Sequence, residues 1–156
     1  MQKKSYTFDE IKLKLVNYCV YQDRCHMEVE QKMREFLLVP EAKEEILLYL
    51  MREDFLNEER FARSYVRGKF YHKHWGRKKI EMHLKAKGIS NRLITMAMQE
   101  IDNEDYSTTL SRLFEKHYET VNAHSAFEKK QKTIKYLLNK GYEYSEVLIV
   151  VENFDL

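Results

Sequence analysis

The chain has 156 residues, enough for one compact domain or a few small stacked units. Its 27 Lys and Arg against 25 Asp and Glu leave a net charge of +2, and 44% apolar with 13% aromatic residues excludes a disordered polyelectrolyte. No window approaches ~18 consecutive apolar residues, which excludes a membrane-spanning helix. The N-terminus MQKKSYTFDE has no apolar h-region of a secretory signal, so a cytoplasmic protein is expected.

Four glycines and one proline are too few for many strands and tight turns, so the composition reads as mostly helical. In chain order, Thr7 and Glu10 fit a capping box before a helix over Phe8 to Tyr21. A second helix is predicted from His26 to Leu37, with Val29, Met33, Phe36 and Leu37 inward. Pro40 suits the first turn of a third, which fades at Asp54. Asn57 caps a fourth that continues to His74, with Glu58 and Glu59 complementing its positive end. Gly76 separates it from a fifth over Arg77 to Lys87, closed by Gly88 in the left-handed conformation. Ser90 caps a sixth, a seventh covers Asn103 to Tyr118, an eighth Ala123 to Lys140 before Gly141, and a ninth Tyr144 to Glu152.

An internal repeat organises these helices. LKAKGISNRLITMAM and LLNKGYEYSEVLIVV align at an offset of 53 residues, matching Leu84 with Leu137, Lys87 with Lys140, Gly88 with Gly141 and Ile94 with Val147. Val29 and Met33 precede Ile80 and Leu84 by 51 positions, a first copy without the glycine. The expectation is an all-α fold of tandem three-helix repeats (residues 1–54, 55–102 and 103–156) stacked into an elongated, curved molecule.

Charge is sorted along the chain. Arg60, Arg63, Arg67, Lys69, Lys73, Arg77, Lys78, Lys79, Lys85 and Lys87 sit in one stretch whose only acid is Glu81. Ten positive charges against one leave +9 there, so the remainder of a +2 chain sums to −7. Arg60, Arg63 and Arg67 share one edge of the fourth helix, whose pattern should end or bend near Gly68, where Lys69 and Lys73 turn back into the apolar arc. With no salt-bridging acids in the stretch and aromatics interleaved, these ten residues are read as a binding face for a polyanion or an acidic protein groove. Phe70, Tyr71 and Trp75 stack on bases or serve as core, Trp75 being the better core residue. Lys129, Lys130, Lys132 and Lys135 read as a solvated helix edge that would lengthen the track.

Nothing points to catalysis, a cofactor or a small-molecule substrate. GKFYHKHWG has neither Walker nor Rossmann spacing. Asp54, Glu58 and Glu59 read as capping charges, His72, His74 and His83 lack metal-ligand spacing, and Cys19 and Cys25 read as free thiols of a reducing compartment.

The runs DFLNEERFARSYVRGKF and HWGRKKIEMHLKAKGIS, with LLNKGYEYSEV downstream, resemble the RecX regulatory family. Phe61, Ala62, Tyr65, Val66, Arg67, Gly76, Ile80, Leu84, Lys87, Gly88 and Ile89 fill its pattern. Glu58 and Glu59 stand where an Asp is usual, and Phe36-Leu37-Leu38 where the first repeat would carry a lysine–glycine. The resemblance implies a negative regulator of the RecA recombinase in recombination, DNA repair and the SOS response. Such a protein lies in the groove of the RecA–single-stranded DNA filament and inhibits its ATPase and strand exchange. The alternative is a stand-alone helical DNA- or RNA-binding module using the same face.

Overall fold

A computed structural model describes residues 5–154. Among them are nine α-helices and no β-strand: α1 (Phe8–Tyr21), α2 (His26–Met33), α3 (Pro40–Arg52), α4 (Glu58–Arg67), α5 (Arg77–Ala86), α6 (Asn91–Met98), α7 (Asn103–Thr120), α8 (Ala126–Asn139) and α9 (Tyr144–Phe154). Their starts follow local chemistry. Thr7 and Glu10 exchange the two bonds of a capping box at 3.0 and 3.2 Å. Asn57, Ser90, Asp102 and Ser125 each accept a backbone N–H of the first turn they cap. Ser125, not Ala123, therefore sets where α8 begins.

Two predicted helices end earlier than their apolar pattern does. After Met33 the backbone tightens into three-residue bonds from Arg34 to Gln31, Glu35 to Lys32 and Phe36 to Met33. Phe36 still enters the core, but Leu37 is left exposed, contrary to its predicted inward place. The fourth helix bends where the misplaced lysines predicted it: α4 gives way at Gly68 to one π turn, Gly68–His72. The wider turn drops Phe70 wholly into the core. It closes with the Trp75 N–H on the Lys69 carbonyl at 3.0 Å, and His74 turns into the left-handed region at φ 59°.

The helices form three consecutive three-helix units, but only two cores. Ile11, Leu15, Val29, Met33, Ile46 and Leu50 close the first unit on itself. Phe61, Val66, Phe70, Ile80 and Leu84 of the second unit share one core with Tyr106, Leu110, Phe114, Leu137, Tyr142 and Val147 of the third. The exposed surface is 10101 Å² for 19.0 kDa, about a fifth more than the ~8,400 Å² of a compact monomer of that mass, as expected of an elongated stack.

Successive units meet in the same way. The lysine–glycine turn of each later unit sits on the start of the middle helix of the unit before it. Gly88, at φ 80°, faces Met27 of α2, and Gly141, at φ 101°, lies against Gly76 and Lys79 at the start of α5. At the second of these joints backbone meets backbone. The Gly76 N–H donates to the Lys140 carbonyl at 2.7 Å, the Lys78 N–H to the Gly141 carbonyl at 2.9 Å, and the Tyr142 hydroxyl to the His74 carbonyl at 2.8 Å.

Candidate functional site

The central basic stretch is not an unneutralised ridge, because the fold brings carboxylates to it from elsewhere in the chain. Arg60 bonds Asp23 at 2.9 Å and Asp54 at 3.1 Å, and also reaches the carbonyls of Asp54 and Phe55. Arg63 lies between Glu59 and Glu100, each at 3.3 Å, and Glu100 also takes Arg67. Arg77 bonds Glu143 at 3.1 Å and Asn103 at 2.9 Å, with its guanidinium 3.8 Å from the Tyr106 ring centre. Lys85 pairs with Glu81 at 3.0 Å and Lys87 with Glu28 at 3.3 Å. The four arginines and Lys87 tie one helix to another, whereas Lys85 pairs within α5. Guanidinium suits that work, since its fixed fork serves two acceptors at once.

The other four, Lys69, Lys73, Lys78 and Lys79, have no carboxylate partner among the described residues. The half-buried Trp75 organises two of them. The Lys69 and Lys79 ammonium groups stand 4.8 and 4.4 Å from its ring centre, and His83 packs on the ring at 4.7 Å. Trp75 is thus a shelf for cations on the edge of the core. Tyr71 is also engaged, its hydroxyl donating to Asp105 at 2.8 Å and accepting the Asp102 N–H at 3.3 Å.

A fifth lysine joins them that the linear stretch does not contain. Lys140, at the end of α8, reaches the Lys73 carbonyl at 3.4 Å across the joint. Burial and then the charge of Lys79 push its amine below the usual lysine range. The two offsets of the internal repeat give this a physical reading. At 53 residues Lys140 corresponds to Lys87, and at 51 residues Lys79 corresponds to Glu28. The same place in two joints therefore holds a salt bridge in the first, Lys87–Glu28, and two like charges in the second. An anion from outside would complete the second joint as Glu28 completes the first.

The remaining candidates have structural partners or none of functional geometry. Lys132 pairs with Glu128 at 3.1 Å and Lys129 lies over Tyr118, so this run is largely knitted to its own unit. Glu58 accepts the His26 N–H at 3.1 Å, stitching the first two units together, and Asp54 accepts from Asn57 at 2.9 Å. Cys19 and Cys25 are both buried, which raises their thiol pKa values, and they belong to different cores. No group of three His, Cys, Asp or Glu that would hold a metal ion occurs among the described residues, and no helix there is long and apolar enough to cross a membrane.

Fold and face together define a stack of three-helix units that offers amines and aromatic rings at its surface. Residues 57–98 match the family model described as RecX, second three-helix domain, and residues 104–151 the one for RecX, third three-helix domain. The chain belongs to the RecX family. It is 28% identical over 140 residues to the protein named Regulatory protein RecX from Bacillus cytotoxicus, which covers 90% of this chain and 52% of that one. The protein of that name from Lactobacillus johnsonii is 28% identical over 141 residues, with the same coverage. The chain thus spans about half the length of these curated relatives. The crystal structure of RecX from Lactobacillus salivarius superposes with a TM-score of 0.84 at 27% identity, over 95% of this chain and 96% of that one.

Proposed function

We propose that this chain is a negative regulator of RecA that acts in the cytoplasm by binding the RecA–single-stranded DNA filament, with no chemistry of its own. Lys69, Lys73, Lys78 and Lys79, joined by Lys140, meet the filament's acidic side chains or phosphates. Arg60, Arg77 and Lys87 hold the units in the register that presents them, and Arg63, Arg67 and Lys85 brace the second unit from within. The observation that carries this reading is the joint itself: Gly141 lies against Lys79, and Lys140 beside it reaches the Lys73 carbonyl, whereas the counterpart joint is closed by Lys87–Glu28. An elongated stack suits a filament partner, because several weak contacts along it add by avidity.

The test is inhibition of DNA-dependent ATP hydrolysis by RecA. A variant carrying Lys69→Glu, Lys73→Glu, Lys78→Glu and Lys79→Glu should lose inhibition. It should still fold, because Glu at 79 would pair with Lys140 as Glu28 does with Lys87. Undiminished inhibition by the folded variant would refute the assignment. Tight, steeply salt-dependent binding to nucleic acid without RecA, lost in the same variant, would instead favour the stand-alone nucleic-acid module.

A further inference from the structure

The first unit is acidic overall, with nine Lys and Arg against eleven Asp and Glu over residues 1–54. Yet one groove on it is lined by Lys14, Asn17, Tyr18, Tyr21, Arg24 and Lys32, with no acid among them. Lys32 has a carboxylate partner, Glu35 at 3.0 Å. Arg24 has none among the described residues. Its Nε donates to the Tyr18 carbonyl at 2.9 Å, which fixes the guanidinium 3.6 Å from the centre of the Tyr18 ring and 5.9 Å from that of Tyr21. The outer guanidinium nitrogens make no hydrogen bond among the described residues.

Tyr21 is the last residue of α1 and is 82% exposed, the most exposed of the large apolar and aromatic side chains described. An exposed ring beside a fixed, unpaired guanidinium has little to offer the fold. It offers two things to a ligand: a flat face for a planar group and a charge for an anion close by. Single-stranded nucleic acid carries both in each repeat, a base and a phosphate. An acidic peptide would use the cations and leave the ring idle.

We infer that the Tyr18–Tyr21–Arg24 groove of the first unit is a binding subsite for single-stranded nucleic acid, with a base stacked on Tyr21 and a phosphodiester on Arg24, helped by Lys14. It is separate from the lysines around Trp75 and stands or falls without them.

The test uses the full chain without RecA and a fluorescein-labelled oligothymidylate, followed by anisotropy at low salt. Tyr21→Ala, at so exposed a position, leaves the fold intact and should weaken binding about fivefold or more, the measured range for loss of one stacked base. Tyr21→Phe keeps the ring and should keep the affinity. The fourfold lysine reversal described above should retain the Tyr21-dependent part. An oligothymidylate bearing 5-iodouracil should cross-link on irradiation to the peptide containing Tyr21. Equal affinities for the parent and Tyr21→Ala would overturn the proposal. So would failure of the oligonucleotide to bind while polyglutamate binds in an Arg24-dependent way, which would make the groove a seat for acidic protein. The RecA assay of the same Tyr21 variants reads the regulatory proposal separately.

Discussion

Gly76→Ala tests the joint that positions the lysine patch. Gly76 has φ −75° and ψ 166°, a conformation open to any residue, so backbone strain plays no part. The obstacle is contact: a Cβ there would lie inside 3.0 Å of the Gly141 carbonyl and the Tyr142 nitrogen, both backbone atoms that cannot rotate away. Restoring ordinary contact requires the turn between α8 and α9 to retreat by about 1 Å. That carries the 2.7 and 2.9 Å bonds from the Gly76 and Lys78 N–H groups past hydrogen-bonding range. Two interior bonds at about 1 kcal/mol each, with about 1–3 kcal/mol for overpacking, sum to about 3–5 kcal/mol. For a chain of this size each kcal/mol moves Tm by roughly 2–4 °C, so a fall of about 10 °C is expected. Gly68→Ala is the matched control. Nothing lies within 4 Å of its Cβ and its φ and ψ are helical, so the change should stabilise by about 0.5–1 kcal/mol. Thermal and urea unfolding followed by circular dichroism compare the two. A Gly76→Ala protein as stable as Gly68→Ala would mean that the units do not meet backbone to backbone, and the argument for Lys79 facing Lys140 would go with it.

Two further outcomes follow from the buried phenols and the shared carboxylate. Burial first, and for Tyr106 the bond to Glu143 second, raise the phenol pKa of Tyr106 and Tyr142 well above 10. In the unfolded chain both ionise near pH 10 and in the folded chain they do not, so the stability they hold is complete below pH 10 and is lost as pH rises beyond it. The unfolding free energy from urea titrations should fall above pH 10 by up to about 1.4 kcal/mol per pH unit per tyrosine, and Tyr106→Phe should shallow that slope; a pH-independent value would contradict the burial. Glu100→Gln removes the carboxylate shared by Arg63 and Arg67. As both ends are partly exposed, the expected loss is about 1 kcal/mol, shrinking in ~0.5 M salt, and a loss that persists at high salt would show that the pair is not electrostatic.

The fold was legible because its signals are local. Caps at Thr7, Asn57 and Ser90, left-handed glycines at 88 and 141, and the bend at Gly68 each act within a few residues, and each appears where the sequence puts it. The charged face was legible only in part, because the partner of a charge depends on which units stack. Besides the nearby Asp54 and Glu59, the carboxylates that pair with Arg60, Arg63, Arg67, Arg77 and Lys87 lie 33 to 66 residues away along the chain. Arg60, Arg63 and Arg67 do share one helix edge, but a lack of acids nearby in sequence does not leave that edge free. One long-range signal was nonetheless present. The repeat alignment that pairs Lys87 with Lys140 also pairs Glu28 with Lys79. In a stack whose units meet by one rule, two such columns that touch in one joint must touch in the next. Reading them together distinguishes a joint closed by opposite charges from one left with two amines, and so points to Lys140, which no count along the central stretch would include.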